Sequence, residues 1–367
     1  MALKEEKQEE IHVLMVTAPS QGHINPMLRL GKRLLDKGVH VSLATTLFGG
    51  HRMLKASIIT SISGPNVISG IPILFFSDGV SLDYDRSGNL DYFMETLAKT
   101  GPFNLSKLIK DYYHDAEKEA IESMAQLCPI RPVGPLVPPS LLDQNDVLDG
   151  GISMWKADET SLEWLNNQEP SSVIYVAFGS SSLLYLPAKL MEAIATALKN
   201  SNRPFLWVVK QSEFPRADGA GQLPLGFEEE TKHQGLIVPW SPQTKVLAHP
   251  SIACFITHCG WNSMSETLAA GVPVIALPQW TDQPTNAKLF VDVFKVGLRL
   301  NPSPDGGIVK EELEKCIREV LSGPKSEEFK KNVVRLKQAA RAAVASGGSS
   351  DRNIQLFVDE ISGNLPR

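Results

Sequence analysis

The chain predicts an α/β protein made of two doubly wound domains facing a cleft, the first of them incomplete. Three observations lead there. Short apolar strand-like runs alternate with helical patterns in both halves, a Pro- and Gly-rich stretch separates the halves, and the half before that stretch is the shorter. The 367 residues suit two domains, and 43% hydrophobic against 21% charged residues is the profile of a soluble globular chain. A net charge of -5 leaves no basic excess for a phosphate backbone, so nucleic acid is not an expected partner. Cys128, Cys254, Cys259 and Cys316 are too sparse and irregular for a disulfide framework or a zinc site, and read as free thiols. With no signal-peptide layout and no apolar run of about 20 residues, a cytoplasmic location without a membrane span is expected.

In chain order, IHVLMVTA (11–18) is a first buried strand, followed by the polar turn PSQGHINP (19–26). A helix follows over 27–38, with Met27, Leu28, Leu30, Leu34 and Leu35 at helical spacing and Gly38 placed to end it. VHVSLATT (39–46) completes a βαβ unit, and IPILFF (71–76) is a further strand before a polar loop and an amphipathic helix from Leu90 to about Tyr113. Prolines 129, 132, 135, 138 and 139 mark a linker. Beyond it the strand runs SVIYVAFGS, PFLWVVK, GLIVPW, IACFITH and VPVIALP alternate with helical patterns, and the tail is helical. The expected division is a shortened first domain over 1–130, a linker over 131–160, a second domain over 161–345 and a helical tail over 346–367.

Open parallel sheets bind ligands beyond the carboxyl ends of their strands, so the residues after each strand carry the functional reading. After the first strand, His23 has a pKa range suited to a general base; the plainer reading is a loop histidine capping a helix that begins near Pro26. After IACFIT, Asn262 suits a helix N-cap, and Ser263-x-x-Glu266 has capping-box spacing. The free N–H groups of that helix, with Gly260 and His258 beside them, would suit a pyrophosphate. After VPVIALP, the set Gln279-Trp280-Thr281-Asp282-Gln283 offers a carboxylate beside a carboxamide for adjacent sugar hydroxyls, or else Thr281 or Asp282 caps a helix from Asn286 to Phe294. Trp240, after GLIVP, presents an indole that can stack on a base or simply belong to the core.

The 44 residues from Trp240 to Gln283, WSPQTKVLAHPSIACFITHCGWNSMSETLAAGVPVIALPQWTDQ, resemble the plant secondary-product glycosyltransferase box, and VLMVTAPSQGHINPMLRLGKRL resembles the N-terminus of family 1 glycosyltransferases that use UDP-sugars. SQGHINP, ITHCGWNS and PQWTDQP are most similar to members that glucosylate the carboxyl group of hydroxybenzoic or hydroxycinnamic acids. The resemblance implies the GT-B arrangement, with UDP-glucose as donor co-substrate, a small aromatic acid as acceptor, inversion at the anomeric carbon, and no metal.

It also implies roles. Trp240 would stack on the uracil, with Ser241 and Gln243 holding base and ribose and Glu266 the ribose hydroxyls. His258, Asn262 and Ser263 would contact the pyrophosphate with Ser180 nearby; Trp261, Asp282 and Gln283 would bind the hexose, the last favouring glucose. His23 would be the base that activates the acceptor, with Thr281 on the acceptor side. Cys254 stands where the box often has glycine. Family members carry a further stretch of first domain where this chain joins two segments at about Asp115-Ala116. That stretch would hold later strands, much of the acceptor pocket, and the acidic residue that orients the histidine. A UDP-sugar-binding protein impaired in transfer, or a nucleotide-sugar epimerase of the same shape, are the competing functions. Asp83-Tyr84-Asp85 resembles the metal site of another transferase architecture but lies in a polar loop and reads as a solvated pair.

Overall fold

The computed structural model describes residues 11–84, 86, 90–112, 133–142, 151–154, 160–179, 186–210, 219–300 and 310–363. The first strand, β1 (His12–Val16), leads into α1 (Gln21–Leu35), then β2 (His40–Thr46), α2 (Leu47–Lys55), β3 (Asn66–Ile68), β4 (Ile71–Phe76) and the long α3 (Leu90–Tyr112). These strands form a sheet of order β1-β2-β4-β3, in which β1, β2 and β4 run parallel and β3 closes one edge antiparallel.

The second sheet begins after α4 (Thr160–Asn166). In order come β5 (Val173–Ala177), α5 (Ala188–Asn200), β6 (Phe205–Val208), α6 (Phe227–Thr231), β7 (Gly235–Val238), α7 (Gln243–Ala248), β8 (Ile252–Thr257), α8 (Trp261–Ala270), β9 (Val274–Ala276), α9 (Gln283–Lys288) and β10 (Gly297–Arg299). Its order, β10-β9-β8-β5-β6-β7, is all parallel. Renumbered from β5 this is 3-2-1-4-5-6, the dinucleotide-fold order, whose switch point falls between β5 and β8. The buried runs VIYVA and IACFIT explain why these two strands are central: both faces are covered, so continuous apolar sequence is stable there. The first sheet matches one half of that order only, and β1, central in a complete sheet, lies at its edge among the described strands. Val16 is accordingly 40% exposed.

Three helices close the chain, α10 (Lys310–Ser322), α11 (Ser326–Val344) and α12 (Ser349–Ile361). The last crosses back to the first sheet. Ile354 and Val358 are buried in the core built from Met15, Leu28, Leu34 and Val41, while Ser350 donates to the Val133 carbonyl (2.7 Å) and Lys37 pairs with Asp351 (3.0 Å).

Two local expectations are corrected. The segment 19–26 is not a turn preceding a helix at Met27: α1 begins at Gln21 and contains Pro26. His23 is therefore the third residue of the helix rather than a capping loop residue, and its N–H goes to the Ser20 carbonyl (2.9 Å). The helix after β9 starts at Gln283, earlier than Asn286, and continues as a π-helical turn over Leu289–Val293.

Candidate active site

The switch point places His258, the residue after β8, against the end of β5. A Cβ built on Gly179 would lie 2.6 Å from His258 Nε2, and one on Gly260 would lie 2.5 Å from it. The imidazole is thus wedged between two backbones that only glycine permits, and Gly179 also has φ of +77°. Burial, with Lys210 adding to it and Asp282 opposing, pushes the His258 pKa down to about 4. The ring is neutral at pH 7 and offers a single N–H.

Gly260, not Asn262, occupies the N-cap of α8, and it supplies no side-chain cap bond. The capping reading of Asn262, Ser263 and Glu266 therefore fails: the helix starts at Trp261, two residues earlier than an Asn262 cap and three earlier than a Ser263 box would place it, and all three side chains turn elsewhere. Gln243, at the start of α7, donates through Nε2 to Ser263 Oγ (3.1 Å) and Glu266 Oε2 (2.7 Å). Asn262 Nδ2 reaches the Gly22 carbonyl across the cleft. The first turn of α8 thereby keeps N–H groups free of side-chain caps, which suits an anion.

Just after β7, Trp240 is half-buried, and the buried Ser241 hydroxyl lies 2.9 Å from the Tyr175 hydroxyl. Burial pushes the Tyr175 phenol far above its ordinary range, so it stays protonated. Trp261 is 59% exposed at the mouth of α8. Ser180 lies outside the described residues.

The β9 turn is knit to the β8 turn. Asn286 Nδ2 donates to the Cys259 carbonyl (2.9 Å) and to Asp282 Oδ2 (2.6 Å), and Asp282 Oδ1 accepts from Thr281 Oγ1 (3.0 Å). Gln283 is buried, its Oε1 accepting the backbone N–H groups of Gln279 (2.9 Å) and Trp280 (3.2 Å). Asp282 sits at the N-cap of α9 but makes no side-chain cap bond, so neither it nor Thr281 caps the helix as the plainer reading expects.

His23 comes from the first sheet's side, at the mouth of the cleft. Its Nδ1 lies 2.9 Å from Ser20 Oγ. Loss of hydration lowers its pKa, while the Asp282 carboxylate of the second sheet pulls it back up, so the two strand-end turns share one electrostatic field. Ser20 is the N-cap residue of α1, and its hydroxyl, which ordinarily caps the third N–H, engages the ring of that third residue instead. The sequence reading passed over Ser20; an S-x-x-H spacing at a helix start is the signal that finds it. It also passed over Lys210, which ends the run FLWVVK beyond β6 and whose pKa burial and Arg52 push down to about 7. Among the described residues no group of three or more His, Cys, Asp or Glu could hold a metal ion; Asp83 is exposed, and Asp85 lies outside the described set.

The family model described as UDP-glucoronosyl and UDP-glucosyl transferase matches residues 106–342. The chain belongs to that family. Among its relatives, a gallate 1-beta-glucosyltransferase of Punica granatum is 35% identical, with 96% of this chain and 89% of the relative covered. A cinnamate beta-D-glucosyltransferase of Fragaria ananassa is 33% identical, with 96% and 82% covered. The structure of Os79 from O. sativa in complex with UDP superposes with a TM-score of 0.77 at 25% identity, over 95% of this chain and 100% of that one. The fold is the GT-B fold of these UDP-glycosyltransferases. The gallate alignment runs over 467 positions although this chain contributes 96% of its 367 residues, so about 115 positions of it have no counterpart here.

Proposed function

We propose that this chain is an inverting, UDP-glucose-dependent glucosyltransferase that acts on a small aromatic acid of the gallate or cinnamate type. What carries the reading is the convergence at the β5/β8 switch point: His258 held between two glycines, the uncapped amino end of α8, the Gln243, Ser263 and Glu266 group, and His23 in the field of Asp282. The domain limits set out from the sequence go with it, the first unit on the acceptor side and the second binding the donor.

In this reading Trp240 stacks on the uracil, and Gln243 and Glu266, with Ser241 behind them, hold the nucleoside. The diphosphate lies on the α8 amino end with His258, Ser263 and Ser180, and Asn262 donates to it as well. Asp282 accepts from hexose hydroxyls, and Gln283, whose oxygen is committed to its own loop, addresses them through its amide N–H groups. Trp261 covers the sugar. The acceptor oxygen attacks the anomeric carbon from the face opposite the diphosphate. As the new C–O bond forms, the bond to the phosphate oxygen breaks and UDP leaves with the electron pair, its charge met by the helix amino end and the His258 N–H. A carboxylic acid acceptor, with a pKa near 4, arrives ionised, so His23 only orients it. A phenol, with a pKa near 10, must give its proton to His23 Nε2, while Nδ1–H donates to Ser20 Oγ. Thr281 borders the acceptor.

A second reading, donor binding without efficient transfer, is favoured by the roughly 115 unmatched positions and by a first sheet of four strands among the described residues. One experiment separates the two. UDP binding is measured by calorimetry on the purified chain, and the same sample is assayed by mass spectrometry for glucose transfer from UDP-glucose to gallate and cinnamate. Binding with formation of a glucose ester supports the first reading, and binding without product supports the second. Failure to bind UDP rejects both.

A further inference from the structure

Pro26 lies in the second turn of α1. An α-helix joins each N–H to the carbonyl four residues back, and proline has no N–H, so the Gly22 carbonyl lacks its helical donor. The pyrrolidine ring also crowds that carbonyl and turns it outward. Gly22 is half-buried, and a carbonyl partly withdrawn from water is satisfied by another donor. It finds one from the opposite sheet: Asn262 Nδ2 donates to Gly22 O. The acceptor is a backbone carbonyl, which fixes the amide orientation, and the NH2 group retains a second N–H. Gly22 precedes His23 directly, and Asn262 is the second residue of α8.

The same turn of α1 is held on its other side by the connection between the sheets. Asn25 exchanges hydrogen bonds with Ile152, donating to its carbonyl (2.9 Å) and accepting its N–H (2.8 Å), and Gln21 Oε1 accepts the Met154 N–H (2.8 Å). The His23 turn is therefore braced from behind by side-chain bonds to residues 152 and 154, and from the front by the Asn262 side chain of α8.

We propose that Asn262 is a positioning residue as well as a donor contact: one N–H holds the Gly22 carbonyl that Pro26 leaves without its helical partner, the other takes a phosphate oxygen, and donor binding thereby fixes His23 over the anomeric carbon. The proposal rests on the glucosyltransferase reading above. Its distinctive claim is the part played by Pro26, which touches no substrate.

The test is the P26A substitution, which gives the helix back its own donor to Gly22 and competes with Asn262. Removing an interior proline favours the helix, so the melting temperature holds or rises. Transfer is expected to fall about tenfold in kcat, with KM for UDP-glucose within about twofold of the parent. In a double-mutant cycle, N262A costs both kcat and donor KM in the parent but only donor KM in the P26A background. Unchanged kcat in P26A, or additive losses in the cycle, overturns the proposal. A second readout needs no turnover. UDP should slow hydrogen exchange of the amides over 21–25 in the parent and not in P26A or N262A. Binding of UDP with unchanged exchange overturns this proposal alone, whereas absence of UDP binding overturns the glucosyltransferase reading and this proposal with it.

Discussion

His23 and His258 are both depressed, and the difference between them follows from where each ring sits. His23 feels the Asp282 carboxylate, which opposes the lowering by lost hydration, and its lowered pKa leaves it neutral to a lower pH than a free imidazole. The expected result is that His23→Ala damages transfer to phenols far more than ester formation, because a carboxylate needs no proton removed. Equal losses on the two acceptor classes, measured as kcat/KM, would contradict the assignment. Ser20→Ala should reproduce the phenol defect in milder form, several-fold in kcat, since the Nδ1 partner at 2.9 Å orients the ring without taking part in the proton transfer. His258 bears on stability instead. Its pKa is about 4 in the folded chain and near 6.5 when unfolded, so its stabilising share is complete above pH 6.5 and is lost as pH falls towards 4. That share is at most about 3 kcal/mol. Urea unfolding of the parent and H258Q at pH 7 and pH 4.5 should show the gap between them closing on acidification, and a gap independent of pH would refute the shift.

At the scale of the element, the amino ends of α1 and α8 decide the site, and both differ from what their sequences suggest. The residues of the candidate site were legible because polar side chains cluster where apolar strands end, and a parallel sheet puts those ends on one side. Their partners were not. Ser263 and Glu266 have the spacing of a capping box, yet the helix begins three residues earlier than that box requires because Cys259 adopts φ of +64° and Gly260 takes the cap, freeing both side chains for Gln243. Local spacing proposes a bond to the nearest N–H, whereas tertiary packing supplied a carboxamide from another helix. Pro26 misled for the opposite reason: proline usually marks a helix start, and here the cost of placing it inside is offset by Asn262, 236 positions away in sequence. The glycines make a sharper test. Gly179→Ala forces a methyl to within 2.6 Å of His258 Nε2 and strains a left-handed backbone, so UDP affinity should fall by about tenfold or more while far-UV circular dichroism stays unchanged. An unaltered affinity by calorimetry would remove His258 from the diphosphate site.

Across the whole molecule the two sheets have separate cores, and the chain's end belongs to the first of them. The core of β1, β2 and β4 is completed by Ile354 and Val358 of α12, from 278 to 346 positions along the chain from the strands they cover, whereas the cores of the six-stranded sheet draw on α10 and α11. Helical periodicity in the tail predicted α12 but not its destination, since an apolar stripe specifies burial and not which sheet provides it. The first unit, with β1 at the edge of its sheet among the described strands, depends on that helix more than a sheet covered on both sides of β1 would. Ile354→Ala removes side-chain volume from a site 2% exposed and should cost about 2–4 kcal/mol, read as a lower unfolding temperature of the first unit. Under the proposed function, donor binding acts on the other unit. UDP at about 100 times its Kd adds about 2.7 kcal/mol to whatever must unfold to release it, so calorimetric scans should resolve two transitions, of which UDP raises the one belonging to the six-stranded sheet and I354A lowers the other. The link between them is small but specific. If Asn262 ties α8 to α1, UDP should also shift the lower transition upward by a fraction of its effect on the first, and N262A should abolish that fraction. A single transition moved equally by UDP and by I354A would show instead that the two cores unfold as one cooperative unit.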